Sequence, residues 1–239
     1  HARWRHFAAG GKDRWADLQP QNARAAFDVA IVSVLLDAGA GPAWRYTEPD
    51  GTQLGRSEGL AIASLAMFAA GAFAHDGRSL CADADKLATI TEAALAEGFQ
   101  VGPTNPLVGL AGRAALLRRL GETVAARPEI FALADTPRPG GLFDHLAARA
   151  RTRSLPARDI LVALLHHLGP IWPRAQGDCW VHPQLGQVPL HKLSQWLAWS
   201  LVEPLQQAGI TVTDLDALTG LAEYRNGGLF IDLGVLAPR

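Results

Sequence analysis

Polar side chains able to do chemistry are densest in one segment of the sequence, Glu223-Tyr224-Arg225-Asn226. Only 19% of the residues are charged, so a carboxylate, a guanidinium and an amide in a row favour a site over a solvated surface. The Glu223 carboxylate could activate a water or offset positive charge on a reacting sugar, and Arg225 could hold a phosphate. The alternative is a buried Glu223–Arg225 ion pair that only fixes a turn.

A second candidate segment begins at His191 and ends at Trp196. Lys192, Gln195 and Trp196 are spaced i, i+3 and i+4, which places them on one face of a helix. An ammonium and an amide beside an indole favour a ligand-binding face. The alternative is a helix start at which Lys192 merely extends its stem along the surface.

Two further segments could contribute to a pocket. Arg56 precedes an apolar helix, where a guanidinium beside free helix amides could bind an anion, although Ser57 and the residue after it suit N-capping equally well. Trp44 and Tyr46 could form aromatic walls of a small-molecule site, the alternative being core packing.

Metal-ligand types occur at Asp178, Cys179, His182, His166 and His167, but they complete no familiar metal spacing. The sequence also lacks a Walker A motif, a dinucleotide-binding glycine fingerprint and a GxSxG elbow. We therefore expect neither a metal nor an organic cofactor.

These residues must be positioned by helices for the most part. The spacing of apolar residues predicts helices over 23–36, 57–73, 83–97, 107–120, 156–168 and 191–207, with shorter ones at 128–133 and 143–149. Gly121 is expected to end one helix and Pro204 to kink or interrupt another. The tail, residues 213–236, is expected to combine a short helix with turns.

One β-hairpin is predicted, with strands on either side of the turn Pro49-Asp50-Gly51, and it is the only strand pair expected. Residues 171–190 show no periodicity and predict a long irregular loop. The fold class is therefore mainly α, a compact helical domain with one small hairpin.

Composition excludes several classes of partner. With 22 basic and 23 acidic residues among 239, the chain has no electrostatic reason to bind nucleic acid. The longest uncharged apolar stretch, residues 60–74, is shorter than the roughly 20 residues that span a bilayer. Two cysteines without a CxxC pair fit a reducing cytoplasm. A small-molecule substrate is the expected partner, and the oligomeric state is left open.

Taken together, the motifs resemble the uracil-catabolism (URC pathway) protein family over essentially the whole chain. They are His6-Phe7, Gly10-Gly11, Asp13-Arg14-Trp15, Leu35-Leu36-Asp37-Ala38-Gly39-Ala40-Gly41-Pro42, Trp44-Arg45-Tyr46, Arg56-Ser57-Glu58-Gly59-Leu60, Asn105-Pro106-Leu107, Gly169-Pro170-Ile171-Trp172-Pro173, and residues 191–196 and 223–230. Members of that family extend further at both ends, so residues 1–239 are expected to form a single helical domain that is incomplete at both ends. The resemblance implies cleavage of the ribose–urea bond of ribosylurea or its 5′-phosphate, releasing urea.

The chain is more distantly similar to the queuosine-salvage N-glycosidases, which share a helical core with the helix-hairpin-helix DNA glycosylases. Their Asp-Tyr-Arg matches Glu223-Tyr224-Arg225, and their Lys-x-x-Gln matches Lys192 and Gln195. An acidic residue further along their Lys helix falls at Ser200 here, so its role does not transfer.

These resemblances imply a set of roles. Glu223 would be the carboxylate near C1′, and Lys192 would donate to the leaving group or orient it. Arg56 or Arg225 would hold a 5′-phosphate if the substrate carries one. The implied substrate-binding residues are Trp44, Tyr46, Arg56, His191, Gln195, Trp196, Tyr224, Arg225 and Asn226. Two alternatives stay open: a ureido amidohydrolase that releases ammonia, and a non-catalytic ligand-binding subunit of the same pathway.

Overall fold

The structure, a computed structural model, describes residues 2–18, 23–132, 136–172, 178–184, 186–219, 229–235 and 237. The helices named below are α1 (Ala2–Phe7), α2 (Arg14–Asp17), α3 (Ala23–Leu36), α4 (Arg56–Ala69), α5 (Ala84–Ala88), α6 (Glu92–Gly98), α7 (Leu110–Ala125), α8 (Pro128–Phe131), α9 (Gly141–Arg149), α10 (Ala157–His167) and α11 (Lys192–Gln207). The strands are β1 (Tyr46–Thr47), β2 (Gln53–Leu54), β3 (Ser154–Pro156), β4 (Trp180–His182), β5 (Gly186–Val188) and β6 (Thr211–Thr213). The fold is mainly α, as the sequence predicts.

Helix α3 runs through the middle of the core. Every residue from Ala25 to Leu36 is buried, so the helix is packed on all sides, by α1, α4, α7, α9 and α11. The Ser64 hydroxyl of α4 donates to Ser33 of α3 at 2.7 Å, which pairs two buried polar groups across this contact.

Asp28 brings a buried charge into α3. Its carboxylate accepts hydrogen bonds from the amides of Gly140 (2.5 Å) and Ala82 (3.1 Å), and from the guanidinium of Arg138. These donors tie the loops before α9 and α5 to the central helix. A buried charge in this position is tolerated because it is paired and fully hydrogen-bonded.

Several predicted helix boundaries are wrong, for identifiable reasons. The expected helix over 83–97 is two helices, because Asp83 caps α5 by accepting from Lys86 N (2.9 Å) and Thr91 caps α6 by accepting from Ala94 N (3.1 Å). Helix α7 does not stop at Gly121 but continues to Ala125. The helix predicted over 57–73 begins one residue earlier and ends at 69.

The predicted hairpin is confirmed, with Tyr46 opposite Leu54 in an antiparallel register. The expectation that it is the only strand pair is wrong. Strands β3 and β6 pair in parallel, and β4 and β5 form a second antiparallel pair inside the segment expected to be an irregular loop. Helix α11 continues through Pro204.

None of the helices in the described ranges is long and apolar enough to cross a membrane.

Candidate functional site

An open cleft of about 520 Å³ lies between α1, the residues around the hairpin and the start of α4. Its described lining consists of His6, Arg45, Gly55, Arg56, Ser57 and Glu58. Arg56 thus lies at a cleft, and its binding of an anion there remains a prediction. The lining is strongly polar, with two guanidiniums, an imidazole and a carboxylate.

The side chain of Arg45 is held in place over the start of α4. Its Nη1 donates to the carbonyls of Pro42 (2.8 Å) and Trp44 (2.7 Å), and its backbone exchanges two 2.8 Å hydrogen bonds with the Asn105 side chain. A Cβ at Gly55 would come within 3.1 Å of Arg45 Nη1. The absence of a side chain at Gly55 therefore lets the guanidinium lie against the first turn of α4.

A buried ion pair holds the start of α4 in place. Arg3 is fully buried, and its Nη2 donates to Asp37 Oδ2 at 2.6 Å, while Asp37 Oδ1 accepts from Ser57 Oγ at 3.0 Å. Burial lowers the pKa of Arg3, and the carboxylate of Asp37 opposes that change. The pair joins α1, the end of α3 and the start of α4, so the cleft is built on a rigid base.

Trp196 of α11 reaches the same region. The Arg3 guanidinium carbon lies 5.0 Å from the centre of the Trp196 ring, and the His6 ring packs edge-on against that indole with 6.4 Å between the centres. Since His6 lines the cleft, Trp196 lies directly behind the cleft wall. The packing brings the Arg56 segment and the Lys192 helix, far apart in sequence, to one place.

His6 itself was not predicted as a site residue, although it belongs to a quoted motif. Burial, and next the positive charge of Arg3, lower its pKa from 6.5, while Asp37 and Glu58 oppose the shift. Its buried Nδ1 has no hydrogen-bond partner among the described residues. A neutral imidazole with an uncommitted nitrogen at a cleft wall is suited to exchange a hydrogen bond or a proton with a ligand.

The start of α11 is fixed by Asp178. Its carboxylate accepts from the amides of Leu193 (2.5 Å) and Ser194 (2.9 Å), and its carbonyl accepts from the amide of His191 (3.1 Å). The carboxylate thereby caps the helix, with its charge at the positive end of the helix dipole. It also sets the position of Lys192, the first helical residue. In the described part of the chain, no three or more His, Cys, Asp or Glu residues form a group that could hold a metal.

The side chain of Gln195 contacts the backbone of Thr219. Its Oε1 accepts from the amide of Thr219 (3.1 Å), and Trp199 Nε1, one turn further along α11, donates to the carbonyl of Thr219 (3.0 Å). Both backbone groups of Thr219 are therefore held by one face of α11. Glu223, Tyr224, Arg225 and Asn226 lie outside the described residues.

The other predicted pocket residues have different surroundings. Trp44 is fully buried and donates its indole N–H to the Phe99 carbonyl at 2.9 Å, and Tyr46 is 7% exposed. Neither is among the described lining of the cleft, which instead contains Arg45 between them. Alternating side chains of an extended segment point to opposite sides, so this arrangement was available from the sequence. His191 keeps a buried Nδ1 without a described hydrogen-bond partner.

Comparisons with known proteins cover the whole chain. A family model described as "Protein of unknown function (DUF1688)" matches residues 1–239. The chain is 39% identical over 261 aligned positions to "Protein urg3" of Schizosaccharomyces pombe, an alignment that includes 100% of this chain and 62% of that protein. It is 35% identical over 274 positions to "Uracil catabolism protein 4" of Lachancea kluyveri, with 99% and 62% covered. The chain thus spans about 62% of the length of both relatives.

Proposed function

The chain belongs to the DUF1688 protein family, and on that premise we propose that it acts in uracil catabolism as an N-glycosidase. The proposed reaction is hydrolysis of the ribose–urea C–N bond of ribosylurea or its 5′-phosphate. The observation that carries the proposal is the packing of His6 on Trp196, which joins the polar cleft to the helix that begins with Lys192. A small polar cleft beside an aromatic ring suits a ribosyl ligand.

The chemistry of the bond defines what the site must supply. Cleavage of a ribosyl C–N bond develops positive charge at C1′ and the adjacent ring oxygen, so a carboxylate near C1′ stabilises the transition state or activates water. The departing urea nitrogen needs a proton or a hydrogen bond from a donor. Water adds to C1′, the C–N bond breaks, and the products are urea and the free sugar.

In this proposal Glu223 is the carboxylate and Lys192 is the donor. Glu223 lies outside the described residues, and the support for its role is indirect. Thr219, four residues earlier, is bound to α11, and four extended residues span at most about 14 Å. Lys192 begins the helix to which Thr219 is bound. The chain length therefore allows the two groups to meet.

The test is to incubate the purified 239-residue chain with ribosylurea, and separately with its 5′-phosphate, and to follow urea, ammonia and free sugar by mass spectrometry. Urea with an equal amount of sugar supports the glycosidase. Ammonia without free sugar contradicts it and indicates a ureido amidohydrolase. Binding of either compound without turnover contradicts it too and indicates a non-catalytic binding subunit.

Matched variants test the two roles. Glu223→Gln is expected to reduce urea release by about 100-fold or more, since it removes the charge but keeps the shape. Glu97→Gln, at an exposed position of α6, is the control and should leave the rate unchanged. Lys192→Gln is likewise expected to reduce urea release, and Lys86→Gln on α5 is its control, which should leave the rate unchanged. Full urea release by Glu223→Gln would show that the catalytic assignment is wrong.

A further inference from the structure

Both arginines of the cleft are exposed, and they differ in their partners from the buried and half-buried arginines Arg3, Arg14, Arg24 and Arg138. Those pair with carboxylates, as Arg3 with Asp37, Arg14 with Glu48, Arg24 with Asp144 and Arg138 with Asp28. Within the described residues, neither Arg45 nor Arg56 forms an ion pair, and the Arg56 guanidinium makes no hydrogen bond. Two guanidiniums from separate segments therefore face one cleft without a described carboxylate on either.

One of the two guanidiniums is preorganised. Arg45 uses its Nη1 on the carbonyls of Pro42 and Trp44, which fixes the plane of the fork against Gly55. The three remaining N–H groups of that guanidinium make no hydrogen bond to a described residue. A fixed fork loses little freedom when it binds a ligand, so it recognises planar or tetrahedral oxyanions well.

The first turn of α4 adds donors to this cleft. Backbone amides at the start of a helix have no acceptor within the helix. The N-cap residue of α4 is Gly55, which has no side chain to accept from them. The Ser57 hydroxyl is already donated to Asp37, so it is not counted among the ligand groups. Glu58, an exposed carboxylate of the same lining, opposes an anion and sets a sign that can be tested.

We propose that the cleft at the start of α4 binds a phosphate monoester through Arg45 and Arg56. This inference rests on the N-glycosidase function proposed above and names its substrate class: the 5′-phosphate of ribosylurea is the substrate, and ribosylurea itself is a poor one. A volume of about 520 Å³ suits a sugar phosphate. Fork-shaped guanidiniums match phosphate oxygens, whereas a neutral sugar offers them no charge to pair with.

The experiment measures kcat/KM for the two compounds at constant ionic strength. The wild-type chain should prefer the 5′-phosphate, and Arg56→Gln should lower the ratio of the two kcat/KM values about 10- to 100-fold, mainly through KM. Glu58→Gln should raise the same ratio, because it removes a negative charge beside the bound anion. Arg158→Gln on α10, whose side chain is 75% exposed, is the matched control and should keep the ratio. Circular dichroism checks that each variant is folded.

Titration calorimetry with inorganic phosphate separates this inference from the proposed function. Urea release at equal kcat/KM from both compounds, with the ratio unmoved by Arg56→Gln, would overturn the phosphate site and leave the glycosidase intact. If neither compound releases urea, the proposed N-glycosidase function is wrong, and the phosphate site is then tested by calorimetry alone. Phosphate binding that Arg56→Gln weakens and Glu58→Gln strengthens supports the site. Equal binding by wild type, Arg56→Gln and Arg158→Gln is non-specific attraction and overturns it.

Discussion

Two glycines of helix α7 should respond oppositely to alanine. Gly112 is exposed, and a Cβ there would meet nothing within 4 Å. Gly121 is buried where α7 crosses α5, and a Cβ there would lie 2.2 Å from the Ala88 amide nitrogen and 2.6 Å from the Ala84 carbonyl oxygen. The same substitution in one helix thus tests helix propensity at one position and close packing at the other.

The magnitudes follow from these distances. Alanine favours an interior helical position over glycine by about 0.5–1 kcal/mol, so Gly112→Ala, in the first turn of α7, should raise the free energy of unfolding by at most about that amount. At Gly121 the clashing atoms belong to the backbone, so α5 and α7 must separate by roughly 1 Å, and overpacking of this kind costs about 1–3 kcal/mol. Because no side chain can rotate away, we expect Gly121→Ala to lower the free energy of unfolding by about 1–2 kcal/mol after the propensity gain.

Urea unfolding followed by circular dichroism at 222 nm measures both changes on the same chain. In a protein of this size about 1 kcal/mol also moves the Tm by roughly 2–4 °C, so thermal unfolding gives a second estimate. Gly121→Ala as stable as the wild type would show that α5 does not pack on α7 as described. Destabilisation by Gly112→Ala would contradict the exposed helical position of that residue.

Substitutions at three further positions, Asp178, Asp28 and His167, test the buried and capping groups. Asp178→Ala should lower the free energy of unfolding by about 1–2 kcal/mol through loss of the α11 cap, and Asp178→Asn by less, as urea unfolding will show. Asp28→Ala should lower it by about 3–5 kcal/mol, because it removes the buried carboxylate that pairs with Arg138 and accepts from the Gly140 and Ala82 amides; the double variant with Arg138→Met should recover part of that loss in a double-mutant cycle. Burial, followed by the charge of the neighbouring histidine on α9, lowers the pKa of His167 to about 4, so the unfolded chain binds a proton that the folded chain resists and stability falls as the pH drops from 6.5 towards 4. His167→Gln should lessen that fall in unfolding curves taken at pH 7, 5.5 and 4.5, whereas His75→Gln, at an exposed position, should not.

The helices show what the sequence determines locally. The bounds of α3 follow from its own apolar residues, and they agree with the prediction because burial on all sides needs only a continuous apolar run. Gly121 was predicted to end a helix, the role that glycine often has at a C-terminus. Its actual role depends on the approach of α5, about 35 residues earlier in the chain, and no local pattern encodes that distance. The pairing of β3 with β6 was missed for the same reason.

The candidate site also has features that the local sequence predicts and features that depend on residues distant in the chain. The sequence places Arg56 before an apolar helix, and in the structure this residue lines the cleft. The i, i+3, i+4 spacing places Gln195 and Trp196 on one face of α11. It does not predict their partners, Thr219 and the α1 residue Arg3, because these are distant in sequence. Arg45 was overlooked in favour of the aromatic residues beside it, although the alternation of an extended segment turns it to the other side.

The geometry of the candidate site depends on the orientation of helix α11. One helix receives the Asp178 cap at its start, packs Trp196 against the α1 wall of the cleft, and holds Thr219 through Gln195 and Trp199. A rotation of the helix by one residue, about 100°, would break all of these contacts together. Loss of the cap should therefore reduce substrate turnover by more than the small unfolded fraction explains. Asp83→Ala, at the N-cap of α5, provides the comparison, because it removes a similar cap from a helix that is not part of the described cleft lining and should change stability alone.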